Sequence, residues 1–363
     1  MTGIIAYAAI AYLAVQFGVV LANLITWPVL NRRGNHSDSS LSVLIPARNE
    51  AQNIGNLLDD LRITKDNVIE ILVYDDDSSD ETADIIKAKS IEDSRIRCMK
   101  GDGPQAGWLG KNHACHEMAS AANGDFLLFL DADVRVDKEL IVDSISYAEE
   151  HRLDLLSIFP VQEMKSLGEW LTVPLMNKIL VGNLPLILIR ETKWKDIAAA
   201  NGQFMLFRSE IYRRHRFHEM VKEERVEDIR IIKMMKMFGH RAQTLLSGGQ
   251  VRCRMYRGYD DALNGFAKNV NAFFGNNWLI LILYVMLTTL GPFAVWSVFS
   301  VWAMLIYLAV LISTRIMISV LSRQDWLMNI LLMPLQQATL AILSAKAAWQ
   351  QISGKMEWKG RRV

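Results

Sequence analysis

Two carboxylates follow a strongly apolar run near the middle of the sequence. Residues 126–130 (FLLFL) lead directly into Asp131-Ala132-Asp133. An acid at a strand end often simply faces solvent, but two acids at this spacing can also hold a divalent cation against a phosphate. Mg²⁺ and Mn²⁺ prefer oxygen ligands and take one or two carboxylates together with substrate phosphates. The spacing therefore predicts a metal clamp, with Asp133 as the more direct ligand beside Asp131.

Two other apolar runs also end in polar residues. LSVLI (41–45) is followed by PARNE, and EILVY (70–74) is followed by three aspartates at 75–77. Such nearly uninterrupted runs are typical of strands buried on both faces. They alternate with helical stretches between about residues 41 and 277, which predicts an α/β domain with a mostly parallel sheet. Because ligands bind outside the carboxyl ends of such strands, the polar residues there predict a ligand site.

Composition and motifs exclude several classes of nucleotide and nucleic-acid site. The chain of 363 residues has a formal net charge of +1, which does not provide the basic field that nucleic-acid binding needs. No GxGxxG follows the first strand, and no GxxxxGK[ST] occurs. The stretch GWLGK (107–111) has glycines and a lysine, but at the wrong spacing for a phosphate loop. A site built from carboxylates and a metal remains.

Helix signals accompany the predicted strands. Residues 51–61 carry apolar side chains at the spacing of a helix packed on a sheet. Ser78 and Glu81 have capping-box spacing ahead of a short helix through Ala88. Asp228 opens a helical stretch over 229–238, where an acid stabilises the helix N-terminus by roughly 0.3 to 1 kcal/mol and is expected to stay ionised.

The hydrophobic residues, 51% of the chain, concentrate at its two ends. Residues 1–30 are apolar over a length that spans a bilayer as a helix, and Arg32 and Arg33 follow. The positive-inside rule then places the N-terminus outside and the domain over 31–277 in the cytosol. A buried hairpin is the alternative interpretation of the first segment.

The C-terminal apolar block predicts two or three further membrane helices within 278–349. The candidate segments are 278–296, 297–321 and 326–345, and a basic tail over 350–363 follows them. Three full spans would place that basic tail outside, against the positive-inside rule, so the number of spans stays open. The sequence predicts a multi-pass protein of the cell membrane.

The apolar stretch 170–190 is interpreted as an interfacial element that takes an acceptor from the bilayer surface. It lies between the metal motif and Asp228, which must share one site, so a single crossing would separate them. The prolines, asparagines and lysine within it are also costly in hydrocarbon.

The cysteines and nearby histidines give only weak evidence for a disulfide or a zinc site. Cys98, Cys115 and Cys253 show no paired spacing, so reduced thiols are expected. His113 and His116 flank Cys115, but a zinc site needs further ligands at useful spacing.

With these residues in view, the domain resembles the family-2 glycosyltransferases, whose fold is called GT-A. The matching stretches are VLIPARNEAQNI, ILVYDDDSSDET, DAD and VEDIRI. The stretches GWLGKNHAC, NGQFMLFRSEIY and GFAKN are similar to the branch that glycosylates carotenoid acids or is associated with hopanoid synthesis. The resemblance covers roughly residues 41–269 and implies a bacterial enzyme.

The resemblance also implies roles for individual residues. It assigns Asp228 as the catalytic base and Asp131 and Asp133 as ligands of Mg²⁺ or Mn²⁺. It places Lys111 opposite the diphosphate of a nucleotide sugar. The base and ribose would be bound by the remaining predicted residues: Pro46, Arg48, Glu50, Asp75 and Asp76.

The implied function is metal-dependent, inverting transfer from a nucleotide sugar, UDP-linked by expectation, to a lipid acceptor in the membrane. The chain departs from the family at Asp77, where a glycine is common, and in RRHRFHEM (213–220), which lacks an expected pair of glycines. It lacks the Gln-x-x-Arg-Trp pattern of polysaccharide synthases, which disfavours processive synthesis.

Two alternatives stay open. One is transfer onto polyprenyl phosphate, with Arg254 and Arg257 facing the phosphate. The other is a non-catalytic nucleotide-sugar-binding protein.

Overall fold

The computed structural model describes residues 2–31, 37–64, 67–353, 357–358 and 361–362. Within it the chain forms two compact units. The helical unit contains Met1–Trp27, Gln162–Leu186 and Met255–Arg362. The sheet unit contains Pro28–Val161 and Ile187–Arg254 and carries all residues predicted to bind the nucleotide sugar or metal or to act as the base, whereas Arg257 lies in the helical unit. Arg32, Arg33, Lys355 and Lys359, which the sequence interpretation used, lie outside the described residues.

The elements follow one another along the chain with short connections. The helices are α1 Thr2–Thr26, α2 Ile54–Ile63, α3 Thr82–Glu92, α4 Gly110–Ala121, α5 Leu140–Glu150, α6 Leu167–Thr172, α7 Pro174–Asn183, α8 Ile187–Glu191, α9 Ser209–His215, α10 Phe217–Met220, α11 Glu227–Met237, α12 Tyr259–Ala267, α13 Trp278–Val298, α14 Val301–Leu321, α15 Trp326–Leu331 and α16 Met333–Ser353. A short 3₁₀ turn, Ala272–Phe274, precedes α13.

The strands concentrate in the sheet unit. They are β1 Leu41–Ala47, β2 Val68–Asp76, β3 Ile96–Gly101, β4 Phe126–Leu130, β5 Val134–Val136, β6 Leu155–Phe159, β7 Val161–Gln162, β8 Phe204–Arg208, β9 Ala242–Leu246, β10 Val251–Cys253, β11 Glu357–Trp358 and β12 Arg361–Arg362.

A seven-stranded sheet with the order β3-β2-β1-β4-β8-β6-β9 organises the sheet unit. β1 pairs in parallel with both β2 and β4, and β2 pairs in parallel with β3. β8 is antiparallel to β4 and β6, whereas β6 and β9 are parallel. The predicted α/β class with a mostly parallel sheet is confirmed. The central strand β4 is apolar throughout, and every one of its residues is buried, as is typical of a strand covered on both faces.

Three helices of the helical unit are long and apolar enough to cross a membrane: α1, α13 and α14. The predicted third C-terminal segment is instead two helices, α15 and α16, and neither meets that criterion in the described part of the chain. The first helix ends at Thr26 rather than at residue 30. Pro28 lacks a backbone N–H and disfavours helical backbone in Trp27, which has φ +45°.

The stretch 170–190 forms the short helices α6, α7 and α8 rather than one span. Asn23 explains why a polar residue lies in α1, since its side chain donates to Val181 O and Leu184 O, both at 2.9 Å. Its Oδ1 also accepts from Leu186 N at 2.8 Å. These contacts attach the end of the stretch to α1 within the helical unit.

The capping box predicted at Ser78 is not formed. α3 begins at Thr82, and its N-cap residue Glu81 makes no side-chain capping hydrogen bond. Asp80 performs that task instead, since its Oδ1 accepts from Thr82 N at 3.1 Å. Ser78 is used elsewhere, because its hydroxyl accepts from Asn49 N at 3.0 Å.

Candidate active site

The polar ends of β1, β2 and β4 lie at one edge of the sheet because these strands run in the same direction. The register aligns Ala47 with Asp75, so the residues after β1 lie beside the last residues of β2. Asp131 follows β4 directly, on the other side of β1. The structure therefore brings the three predicted groups of polar residues to a common edge.

Arg48 links the ends of β1 and β2. Its Nη1 donates to the backbone oxygen of Asp76 at 2.5 Å, and it lies 3.9 Å from Asp76 Oδ2 and 3.8 Å from Asp77 Oδ2. Asp77 has φ +56°, the left-handed region that favours glycine. Aspartate is among the few residues other than glycine that tolerate this backbone conformation.

The other residues predicted to bind the nucleotide lie around this turn. Asp75 is buried, and its Oδ1 accepts from Ser78 N at 3.2 Å. Pro46 lies within β1 opposite Tyr74. The Glu50 carboxylate accepts from Asn53 Nδ2 at 2.8 Å, and its charge raises the pKa of Asp133. Burial and Asp131 contribute more than Glu50 to that raised pKa.

Lys111 joins two motifs that are far apart in the sequence. Its Nζ lies 2.9 Å from Asp131 Oδ1 and 3.0 Å from Glu227 Oε1. Burial would lower the pKa of Lys111, but the negative charges of Asp131 and Glu227 raise it well above its usual value. A permanently charged lysine between two acids fixes the position of Asp131 relative to the start of α11. The Asp-x-Asp motif and the Glu-Asp motif therefore belong to one site.

Asp133 is held by Gln203, which precedes β8. Gln203 Nε2 lies 3.2 Å from Asp133 Oδ1 and 2.9 Å from Cys253 Sγ. Burial, together with the charges of Asp131 and Glu50, raises the pKa of Asp133 to about 7. Three acids in partial burial repel one another, so a bound cation would relieve this repulsion.

Asp228 occupies the first turn of α11. Its Oδ2 accepts from Gly202 N at 2.9 Å, and its Oδ1 accepts from Ile229 N at 2.7 Å. Burial and the adjacent Glu227 raise the pKa of Asp228 to about 7. The helix N-terminus favours the ionised carboxylate, whereas burial and the like charge of Glu227 oppose it and raise the pKa.

Sequence reasoning missed three residues of this site: Glu227, Gly202 and Gln203. Glu227 was quoted only as the neighbour of Asp228, and Gly202 and Gln203 only as letters of NGQFMLF. Gly202 is constrained by its surroundings, since a Cβ there would lie 3.0 Å from Lys111 Nζ and 3.2 Å from Glu227 Oε1. All three residues lie inside stretches that resemble the family, and this position could have marked them as site candidates.

We expect Gly202→Ala to lower kcat/KM about tenfold, because a displacement of a fraction of an ångström in catalytic groups already costs rate. The added methyl group would push on Lys111 and Glu227 rather than on backbone, so stability should change little. The matched control is Gly55→Ala, whose Cβ would meet only Ile85 Cγ2 at 3.3 Å. Steady-state kinetics of both variants check this, and equal rates would contradict it.

The donor set fits a hard divalent cation. Asp131 and Asp133 provide carboxylate oxygens at the end of β4, and the side-chain Oε1 of Gln203 is buried without a hydrogen-bond partner among the described residues. No group of three or more His, Cys, Asp or Glu side chains in the described part of the chain could hold a metal by itself. Mg²⁺ commonly binds through one or two carboxylates and completes its coordination with substrate phosphates and water.

Near Lys111 in the sequence lie an aromatic cluster and a buried thiol. Trp108 lies against His113 and His116, with ring centroids 5.5 Å and 5.1 Å apart. Cys115 is buried, and burial raises the pKa of its thiol. The three cysteines are free, as expected from their spacing.

Comparisons with known proteins agree with this geometry. Residues 42–216 match the family model described as Glycosyl transferase family 2. The chain is 27% identical over 242 residues to the 4,4'-diaponeurosporenoate glycosyltransferase of Staphylococcus haemolyticus (strain JCSC1435), covering 66% of this chain and 63% of that protein. It is 32% identical over 137 residues to the protein of the same name from Staphylococcus aureus (strain bovine RF122 / ET3-1), covering 37% and 35%. The aligned part thus spans less than two thirds of these relatives.

The fold is similar to that of the mannosyltransferase PcManGT from Pyrobaculum calidifontis, solved in complex with GDP-Man and Mn²⁺. The TM-score is 0.58 with 17% identity, and the match covers 97% of this chain and 100% of that chain. This similarity bears on the fold alone and confirms the GT-A expectation.

Proposed function

We propose that this chain, whose residues 42–216 belong to glycosyl transferase family 2, transfers a sugar from a UDP-linked donor to a lipid acceptor with inversion at the anomeric carbon. The proposal includes a divalent metal held by Asp131 and Asp133. One observation carries it above the others: Lys111 Nζ contacts both Asp131, at 2.9 Å, and Glu227, at 3.0 Å. A diphosphate-binding motif and a candidate base are thereby held beside each other, as sugar transfer requires.

The residues at the ends of β1, β2 and β4 support binding of a nucleotide-sugar donor at this edge. Arg48 fixes the turn that carries Asp76, while Asp75 lies buried beside it. Acids at this position can accept hydrogen bonds from a nucleotide base and ribose. A metal bound by Asp131 and Asp133 would neutralise charge that develops on the leaving diphosphate. Lys111 adds a fixed positive charge on the same side.

The acceptor half of the site is supported by Asp228. A hydroxyl is a poor nucleophile at neutral pH, so a base must remove its proton as it attacks the anomeric carbon. Removal of the proton by such a base typically raises the rate about 10²- to 10⁴-fold. Gly202 N and Ile229 N hold the two oxygens of Asp228, which orients the carboxylate. A single displacement with one base inverts the anomeric centre.

The pKa of Asp228 predicts a pH dependence. The base acts only when ionised, and its pKa is raised to about 7. Turnover on a hydroxyl acceptor should therefore be constant well above pH 7 and fall about tenfold for each pH unit below it. Initial rates at saturating donor across pH 5 to 9 measure this. A rate independent of pH across that range would contradict the role of Asp228 as base.

A lipid acceptor is supported by the apolar helices and by the relatives. The names of the two curated relatives describe glycosyl transfer involving the carotenoid acid diaponeurosporenoate. In the described part of the chain, three helices are long and apolar enough to cross a membrane. A carotenoid, hopanoid or glycerolipid would be available to an enzyme held in a bilayer.

We further propose that the sheet unit faces the cytosol. Arg32 and Arg33 follow the first candidate span, which favours the cytosolic side for what comes next. Two candidate spans after the domain would return the basic tail to the same side, which removes the conflict that three spans created. Protease added outside intact spheroplasts should leave the domain uncut, and lysed spheroplasts provide the control. Cleavage in intact spheroplasts would reverse the topology.

A donor and lipid screen tests the proposed function. Membranes that contain the full chain would be incubated with UDP- and GDP-linked sugars, and the lipid extract analysed by mass spectrometry. We expect a lipid whose mass increases by one hexose with a UDP-linked donor, and no such product with Asp133→Ala. A nucleotide sugar that binds without transfer to any lipid would favour the non-catalytic alternative.

A further inference from the structure

Two cationic side chains are buried inside the helical unit. Lys178, on α7, is 8% exposed, and Arg315, in the middle of α14, is 4% exposed. Cations are rarely buried to this extent unless an acid pairs with them. Among the described residues, the polar partners of these two side chains include no carboxylate. The proposed transfer reaction assigns no role to either.

The polar partners of both cations are neutral amides on one helix. Lys178 Nζ donates to Gln337 Oε1 at 2.8 Å, and Arg315 Nη2 donates to Gln336 Oε1. Lys178 Nζ also lies 6.0 Å from the ring centroid of Tyr284. Arg315 Nε is buried without a hydrogen-bond partner in the described part of the chain. Arg315 therefore retains a donor that no described residue satisfies, and Lys178 Nζ has one hydrogen-bond partner among the described residues.

Three acids of the helical unit are engaged elsewhere. Glu169 accepts from Lys165 N at 2.7 Å and from Ser166 Oγ at 2.9 Å. Asp261 accepts from Arg257 N at 3.0 Å, and Asp325 caps α15 by accepting from Met328 N at 3.0 Å. These contacts fix the three carboxylates near the ends of helices.

The positive charges of Lys178 and Arg315 repel each other when no anion is bound. Burial, and then the charge of Arg315, lowers the pKa of Lys178 to about 7. Arginine stays protonated under all ordinary conditions, so it does not relieve the repulsion by losing its proton. Two positive charges buried in the same helical unit raise the free energy of the folded chain unless an anion binds to them.

We propose that Lys178 and Arg315 bind the anionic head group of a lipid, a carboxylate or a phosphate. Both anions present several acceptor oxygens, which match the unused donors of a guanidinium and an ammonium group. Ionisable residues among membrane helices commonly mark a ligand pathway. The inference goes beyond the transfer reaction and does not depend on it.

The surroundings favour an anion carried on a lipid over a free ion in water. Tyr284 lies on α13 and Arg315 on α14, and both helices are long and apolar enough to cross a membrane. Large apolar side chains are exposed along these helices, among them Leu279, Phe293, Trp302 and Ile306. An amphiphile can lie against such a surface with its chain while its head group reaches the buried cations.

Binding of four probes to the purified full chain in detergent tests the proposal. The probes are oleate, dodecyl phosphate, oleyl alcohol and inorganic phosphate, titrated without nucleotide sugar and followed by native mass spectrometry and tryptophan fluorescence. We expect oleate or dodecyl phosphate to bind at least tenfold more tightly than oleyl alcohol and inorganic phosphate, because charged hydrogen bonds carry the affinity. Equal binding of oleyl alcohol would overturn the anion requirement. Equal binding of inorganic phosphate would overturn the lipid requirement.

Variants separate a binding role from a structural one. Lys178→Met and Arg315→Met should each weaken binding of the anionic lipid about tenfold to hundredfold. Without ligand they should unfold at the same temperature or higher, since an unpaired buried charge is removed. Arg315→Lys should retain most of the binding and provides a second variant if Arg315→Met does not fold. Lys346→Met, on α16, and Arg323→Met, after α14, are controls that should bind normally.

The binding assay distinguishes this inference from the proposed function. Unchanged binding in Lys178→Met and Arg315→Met would overturn the site even if the chain transfers sugar. Conversely, loss of anion binding in both variants supports the site even if no sugar acceptor is found.

Discussion

Asp228→Asn is expected to lower turnover on a hydroxyl acceptor several hundredfold or more. The amide keeps the shape of the side chain and can still accept from Gly202 N, but it cannot take the acceptor's proton. General-base help is worth about 10²- to 10⁴-fold, which sets the expected loss. Donor affinity should stay nearly unchanged, because Asp131, Asp133 and Lys111 are intact. Turnover and donor Kd, measured on the same preparation, separate the two effects.

The control for this variant is Asp84→Asn. Asp84 also lies in the first turn of a helix, α3, but its side chain is 83% exposed and pairs only with Lys87, at 3.9 Å. It should retain full activity. Full activity of Asp228→Asn on a hydroxyl would contradict the proposed base. A small loss with a carboxylate or phosphate acceptor is expected, because such an acceptor needs no deprotonation.

Asp133→Ala is expected to abolish transfer while the chain still folds. A cation at the diphosphate is worth several kcal/mol of transition-state stabilisation, so its loss should cost about a thousandfold or more in rate. Removing a partly buried acid that sits near Asp131 and Glu50 also removes repulsion, so stability should not fall. Rates with added Mg²⁺ or Mn²⁺, and thermal unfolding, measure both consequences.

The matched control is Asp102→Ala, an exposed acid that follows β3. It should leave the rate unchanged. Excess EDTA should inactivate the wild-type chain, and added Mn²⁺ should restore it. Wild-type activity that persists in excess EDTA would show that the two carboxylates act without a metal.

The central strands could be predicted because they are buried on both faces. β1, β2 and β4 appear in the sequence as nearly uninterrupted apolar runs, and the polar residues at their ends indicate the ligand edge. The antiparallel direction of β8 could not be predicted, since a buried strand has the same composition in either direction. The end of α1 at Thr26 was missed because apolar residues continue past Pro28 into the sheet unit.

The candidate site was predicted only in part because contacts over long sequence distance decide it. Motifs identified Asp131, Asp133, Lys111 and Asp228, but not that Lys111 contacts Glu227. The raised pKa of Asp228 could not be predicted for a related reason. A helix N-terminus is visible in the sequence, whereas the burial and the neighbouring charge that outweigh it are not.

The sequence contains both buried cations of the helical unit, but it does not show that they contact the same helix. Lys178 was noted only as a residue that argues against a membrane span, and Arg315 lies within an apolar run that otherwise predicts one. Their shared feature is contact with Gln336 and Gln337 of α16. That contact depends on how α7, α14 and α16 pack, which the hydrophobic pattern of each helix does not specify.

The anomeric configuration of the product tests the central claim most directly. The full chain would be given an α-linked UDP-sugar and a lipid with a free hydroxyl, and the glycolipid product would be analysed by NMR. A single displacement assisted by Asp228 predicts a β-linked sugar. An α-linked product would contradict this account of the active site.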